Sequence, residues 1–359
     1  MSSRGISAAG RQRRPRIEED SESVDAYLLD IPNPGVSAMT VALFDPSIAS
    51  ENLGDQIIID AVVREISDLF PAEQVVHLPT QEVVGRRTFR IARNARERLV
   101  GGTNLLSSHM LRYRQWKVGL AARFLLKDVV LMGVGWWQYQ DDPDWYTRQI
   151  ILSTLSKRRS HAVRDEYTKQ KLEKIGLANV LNTGCPTMWR LDEKLCASIP
   201  ARKASDVVFT LTDYKPNRET DVALIDLLRK RYARLFFWPQ GSGDLAYLQS
   251  IAPLNGIEMV APTLAAYDAL LDSHDLDFVG TRLHGGIRAL QKRRRALIVA
   301  VDNRSLEISR DTGLPTEERK AVERISDRIE RTESTRLALR LNEIAAWKTQ
   351  FSAARAAAQ

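Results

Sequence analysis

At 359 residues the chain is too long for a minimal domain and suits two domains of ordinary size. Its 44% hydrophobic and 27% charged residues exclude wholesale disorder. Its longest apolar run, 129–137, falls far short of the roughly 20 residues of a membrane span. Two cysteines, Cys185 and Cys196, exclude a disulfide framework and a cysteine-rich zinc site. The formal charge of +7 suits an anionic small substrate, an anionic membrane surface or nucleic acid, and does not choose among them.

Near the N-terminus Arg11, Arg13, Arg14 and Arg16 are followed by polar and acidic residues rather than an apolar segment. That is neither a secretory nor a twin-arginine pattern. The expectation is a disordered leader over 1–37 and a reduced, cytoplasmic location, with at most peripheral contact at the inner face of the membrane. Order is expected from 39–44, an apolar run with β-branched members that reads as a buried strand. Residues 45–53 form a loop. Gly54-Asp55 then opens an amphipathic helix to about Phe70, with Ile57, Ile58, Ala61, Val62 and Ile66 on one side. Strand signals recur at 74–78, 98–101 and 128–132, the last two running into Gly101-Gly102 and Gly133-Val134-Gly135. Residues 160–164 read as a short strand, 165–175 as a helix closed by Gly176, and 179–182 as a further strand. A looser stretch, 186–204, carries the crossing to the second half.

The second half restarts the pattern, with strands at 206–211, 235–238, 257–260, 277–279 and 296–301. Between them lie helices at 219–232, 244–251, 263–271 and 283–292. The charged, helix-favouring segment 315–359 reads as one or two surface helices that pack back across the first half. Strands alternating with helices imply parallel sheets covered on both faces. The fold class is therefore α/β, with Rossmann-like domains at 38–190 and 200–314 between the leader and the C-terminal helices.

In open parallel sheets, ligands bind beyond the carboxyl ends of the strands. The richest loop there is 280–286. Thr281 is placed to cap the following helix, whose free N–H groups would receive an anion. Arg282 adds a bidentate fork, and His284 sits in the same first turn. Gly285 and Gly286 leave room for close backbone approach.

The stretch Asp277-Phe278-Val279-Gly280-Thr281-Arg282-Leu283-His284-Gly285-Gly286 resembles the most distinctive motif of the polysaccharide pyruvyl transferase family. Asn52-Leu53-Gly54-Asp55 is similar to its N-terminal Asn-x-Gly-Asp turn, and Gly101-Gly102 to its glycine pair. Val163-Arg164-Asp165-Glu166 resembles its strand-end Arg-Asp/Glu element. The likeness runs from about residue 39 to 314. It departs where members often carry a lysine soon after the strand that follows Arg-Leu-His. Asp302-Asn303-Arg304-Ser305 stands there instead, with Arg304 as the candidate replacement.

The resemblance implies two Rossmann-like domains facing across a cleft in a GT-B-like arrangement, acceptor on the first and donor on the second. It implies transfer of a pyruvyl group from phosphoenolpyruvate to two hydroxyls of one saccharide, lipid-linked or polymeric. The products are a cyclic ketal and phosphate, in exopolysaccharide or cell-surface glycan synthesis. Arg282 and Arg164, from opposite domains, would hold the donor. His284 would protonate carbon 3 as general acid, and Asp55 or His284 would take the hydroxyl protons. No cofactor or metal is implied, phosphoenolpyruvate being a substrate.

The expected binding residues are Asn52, Gly54, Asp55, Gly101, Gly102, Trp136, Gln240, Thr281 and Gly285. Gln240 would bind a hydroxyl or the donor, or simply sit in a helix-capping turn. Trp136 would stack on a sugar or pack between the domains. His161 and Cys185 read as packed residues. Lys292-Arg293-Arg294-Arg295 reads as a solvated helix end or as a contact for an anionic membrane or lipid-linked sugar phosphate. Gly133-Val134-Gly135 lacks the third glycine of a dinucleotide fingerprint. No basic-aromatic module supports a nucleic-acid partner. The competing reading is a GT-B glycosyltransferase with a nucleotide-sugar donor, because fold does not separate the two.

Overall fold

The computed structural model describes residues 40–119 and 126–356; the expected leader lies outside them. The first half holds β1 (Thr40–Asp45), β2 (Gln74–Pro79), β3 (Glu97–Gly101), β4 (Val129–Val134), β5 (His161–Val163) and β6 (Val180–Asn182). They form one parallel sheet in the order β2-β1-β3-β4-β5-β6. The second half holds β7 (Asp206–Thr210), β8 (Arg234–Phe237), β9 (Ile257–Met259), β10 (Leu276–Gly280), β11 (Ala296–Ala300) and β12 (Thr316–Glu318). These also pair in parallel, in the order β12-β11-β10-β7-β8-β9. Helices cover both faces of each sheet, so β4 (VVLMGV) and β11 (ALIVA) are buried along their whole length.

Two polar elements leave little trace in the sequence. Strand β12 is short and polar (TEE), an edge strand that no apolar run announces. Helix α10 (Asn303–Thr312) carries few apolar residues and is announced only by its cap, Asp302, whose side chain accepts from the Arg304 N–H. The C-terminal helix, Leu341–Ala356, does pack back on the first half. Ile344, Trp347 and Phe351 join Val41, Leu43 and Ile58 in one buried cluster. Trp189 meets Trp347 edge-on at 5.6 Å.

Chain order reverses between β1 and β3 in the first sheet and between β7 and β10 in the second. Such switch points open a crevice at the carboxyl ends of the strands. The helices that leave them are α1 (Leu53–Leu69), after β1, and α9 (Leu283–Gln291), after β10. Among the described residues no helix is long and apolar enough to cross a membrane. In the basic run after α9, Lys292, Arg294 and Arg295 pair with Asp272, Asp275 and Asp277.

Candidate active site

The two crevices meet. The N-cap of α1 is Asn52, whose Oδ1 accepts from Gly54 N at 3.0 Å and from Gln240 Nε2 of the second half at 2.8 Å. Leu53 N donates to the Gln240 carbonyl at 2.9 Å, and Ser242 N to the Glu51 carbonyl at 3.1 Å. A Cβ on Gly54 would lie 2.7 Å from Gln240 Nε2, so the close approach of the halves favours glycine there.

In the second half Thr281 does not cap α9. Its hydroxyl meets that of Thr212 at 2.8 Å across the ends of β10 and β7. Arg282 takes the cap position and no side chain caps the helix. This is a correction, and it leaves the first N–H groups of α9 without a capping side chain, as an anion site requires.

A second correction concerns Arg282. Its guanidinium is not an open fork. Nε donates to Asp244 Oδ2 at 2.9 Å, and Nη2 to Asp213 Oδ1 at 2.8 Å and to the second Asp244 oxygen. Asp244 Oδ2 also accepts from the backbone of Gln240 and Gly241 at 3.1 and 2.8 Å. Burial nevertheless pushes the Asp244 carboxyl up, against the pull of Arg282. Only Nη1 of Arg282 has no protein partner among the described residues.

His284 is buried on the second residue of α9. Burial first, then the charges of Arg304 and Arg164, lowers its pKa to about 3. The ring is therefore neutral at pH 7 in the free protein, and not the ready acid the sequence leads one to expect. Its Nε2 lies 3.8 Å from Cys185 Sγ.

Arg304, at the start of α10, comes to the same cleft. Its Nε reaches Asp302 Oδ2 at 2.9 Å and its Nη2 the Tyr214 hydroxyl, leaving Nη1 without a protein partner among the described residues. Burial pushes Asp302 up, but Arg304 outweighs it and holds the carboxyl near about 2.

From the first half comes Arg164, buried at the end of β5. Nε contacts Asp165 at 3.2 Å, Nη2 contacts Asn104, and Nη1 has no protein partner among the described residues. A Cβ on Gly135 would overlap this guanidinium. Asp55 is buried, accepts from Ser50 Oγ at 2.6 Å and Thr103 Oγ1 at 3.0 Å, and is pushed up by burial, against those bonds and Arg304.

Three expected binding residues do not offer a surface. Trp136 is fully buried in the first-half core with Nε1 on Gln140, so neither ring face is open to a sugar. A Cβ on Gly101 would meet Ile59, and one on Gly102 would overlap the Gly133 carbonyl, so close packing explains both glycines. Gln240 and Gly285 do face each other: Gln240 Oε1 is buried without a partner, 3.0 Å from where a Gly285 Cβ would stand. Asn52, Tyr214, Gln240, His284, Asp302 and Arg304 share one cavity of about 20 Å³, room for roughly one water. A groove of about 580 Å³ adjoins it through Val301 and Asp302, walled also by Gln138, Tyr139 and Lys215.

Residues 52–303 match the family described as polysaccharide pyruvyl transferase. The chain belongs to this family. The matched span opens on Asn52 and closes one residue short of Arg304, so it takes in every expected site residue of this pyruvyl transferase family member. No match is found among curated proteins. Among solved structures the chain is similar to the UDP-GlcNAc 2-epimerase of Methanocaldococcus jannaschii in complex with UDP-GlcNAc and UDP. Identity is 11%, TM-score 0.50, with 89% of this chain and 99% of that one covered. It is also similar to a putative UDP-N-acetylglucosamine 2-epimerase from Listeria monocytogenes, at 11% identity and TM-score 0.45, covering 88% and 97%. The glycosyltransferase SnogD from Streptomyces nogalater follows at 13% identity and TM-score 0.38, covering 82% and 96%. At such identity the first of these shows a shared fold, the GT-B arrangement of two parallel sheets.

The partners that sequence reasoning did not single out are Asn104, Asp213, Tyr214 and Asp244, which lie at or beyond the carboxyl ends of strands; Cys185 is packed, as expected. Nothing local marks which of their side chains meet.

Proposed function

We propose that the protein transfers the pyruvyl group of phosphoenolpyruvate to two hydroxyls of one saccharide. One observation carries the reading. Arg164 and Arg304, one from each half, each keep Nη1 without a protein partner among the described residues, and both act electrostatically on buried His284. A small ligand bearing both a phosphate and a carboxylate fits such a set.

The donor's negative charge raises the His284 pKa, so the ring becomes a proton donor only when the donor is bound. The imidazolium then protonates carbon 3, turning the methylene into a methyl and carbon 2 into an electrophile. One hydroxyl oxygen bonds carbon 2, the carbon–oxygen bond to phosphate breaks, and the second hydroxyl closes the ketal. Of the two hydroxyl protons, one replaces that given to carbon 3 and the other leaves with phosphate. Asp55, whose raised pKa suits a proton acceptor, takes them in turn. Arg164 and Arg304 stabilise the departing phosphate.

Calorimetric titration of the full chain with phosphoenolpyruvate, with UDP-sugars in parallel, tests the reading. Binding of phosphoenolpyruvate that weakens at least about tenfold in Arg164→Ala is expected. Binding of UDP-sugars alone would overturn it in favour of glycosyl transfer.

A further inference from the structure

We propose that Cys185 is a positioning residue for His284. Its thiol donates to Nε2, holds the ring as the Nδ1–H tautomer, and so turns an N–H rather than a lone pair towards the cleft. The role in catalysis rests on the function proposed above; the tautomer does not.

Cys185 lies 99 residues from His284, between β6 and the short 3-10 turn Pro186–Met188. Its place is set on three sides. Gly184 adopts φ +72°, and the Pro186 ring covers Gly133 so closely that a Cβ there would overlap it. Gln291, at the far end of α9, donates to the Thr187 carbonyl at 2.6 Å. The helix that carries His284 is thus tied to the turn that carries Cys185.

The polarity of the contact follows from the sulfur's other neighbours. The Thr187 hydroxyl donates to Sγ at 3.0 Å, and the Thr187 backbone N–H faces the sulfur as well. Both are donors, so the sulfur's lone pairs are engaged and its own proton must go elsewhere. His284 Nε2, at 3.8 Å, is the remaining polar partner. Burial raises the thiol pKa against the bonds from Thr187 and the charge of Arg164, so the proton is present at neutral pH. A thiol is a weak donor. It acts here on a neutral ring whose Nδ1 has no protein partner among the described residues, and a small bias decides between two tautomers of similar energy.

The consequence is a ring that meets an incoming anion oxygen with a donor already in place. Once that anion is bound, the second proton enters at Nε2, on the side of the ring away from the ligand.

The chain has five histidines, so a long-range proton–nitrogen NMR spectrum of the uniformly ¹⁵N-labelled full chain at pH 7.5 resolves each ring. The His284 signals are assigned by their loss in His284→Gln. The expected result is a protonated Nδ1 and a bare Nε2 in the wild type. In Cys185→Ala the population moves to Nε2–H, and in Cys185→Ser the hydroxyl restores the wild-type pattern. An Nε2–H tautomer in the wild type overturns the proposal, even where a variant fails to fold. So does a Cys185→Ala spectrum identical to it. With phosphoenolpyruvate and a working acceptor, Cys185→Ala should lower kcat about tenfold with an unchanged KM, and Cys185→Ser should recover most of it. A correct tautomer in a protein that binds no phosphoenolpyruvate would leave the positioning intact and sink the function instead.

Discussion

Each sheet ends a strand in a buried arginine laid over a glycine, and the two arginines are held in opposite ways. Arg282 is gripped by Asp244 from two sides and by Asp213, above Gly241. Arg164, above Gly135, has one carboxylate contact at 3.2 Å and a neutral amide. A guanidinium compensated by two carboxylates has little charge left for a ligand, whereas one resting on an amide keeps much of its own. Within one cleft, then, the motif arginine of the second half is held as a strut, and the donor contact in the proposed function falls to the less conspicuous Arg164, with Arg304 beside it. On that proposal the signature motif marks the residue that builds the site rather than the one that touches the ligand.

The largest effect separates these roles directly. Arg282→Ala leaves Asp244 buried without its partner, and should cost about 3–5 kcal/mol in a urea unfolding titration. Arg164→Ala should cost less than half of that while losing more phosphoenolpyruvate affinity than stability. Equal destabilisation by the two changes would erase the distinction. The two buried histidines give a second contrast. His161, sealed in the first sheet with Nε2 on the Ser156 carbonyl, and His284 at the cleft are depressed from 6.5 to about 4 and about 3, burial being the first cause in both. Below pH 6.5 the unfolded chain binds protons that the folded rings refuse, so their contribution is complete above that pH and is lost as pH falls. Each ring adds about 1.4 kcal/mol per pH unit to the slope. His284→Gln should remove one such increment from the acid limb. Saturating phosphoenolpyruvate should remove the same increment from the wild type by raising the His284 pKa, and leave that of His161 in place.

The glycines sharpen the contrast at a smaller scale. A methyl on Gly241 presses on a guanidinium that three bonds to carboxylates hold still, so Gly241→Ala should cost about 1–3 kcal/mol of stability. A methyl on Gly135 presses on one that can swing aside. Gly135→Ala should therefore leave the unfolding midpoint nearly unchanged and show itself as weaker phosphoenolpyruvate binding. Reversal of that pattern would mean that Arg164 is the more rigid of the two.

The alternation of apolar runs and amphipathic stretches made both sheets legible, because buried parallel strands must be apolar on both faces. The rule that ligands sit beyond the carboxyl ends selects the loops that carry Asn52, Asp55, Arg164, Gln240 and His284. What escaped was of two kinds. Strand β12 and helix α10 are polar elements whose existence depends on the neighbour they pair with or on a single cap. The Arg282–Asp244, Asn104–Arg164 and Cys185–His284 contacts join residues 38, 60 and 99 positions apart, which no local pattern encodes. Trp136 shows the same limit. An aromatic residue at a strand end serves a core as well as it serves a sugar, and only the buried cluster of the first half that encloses its ring, with its backbone N–H on the Thr168 hydroxyl, decides which.

The smallest effect bears on how the two regions are joined. Asn52 caps α1 with the same oxygen that accepts from Gln240, so one amide serves a helix in the first half and a loop in the second. Asn52→Ala should cost about 1 kcal/mol, the ordinary value of an N-cap. The informative variant is Asn52→Asp. Its carboxylate keeps the cap and favours the helix N-terminus, but adds a negative charge at the wall of an anion site. Stability should hold within about 0.5 kcal/mol while phosphoenolpyruvate affinity drops several-fold, and the drop should shrink with added salt. If affinity is unchanged, the donor does not approach Asn52, and the anion is held by Arg164 and Arg304 alone, away from the seam between the halves.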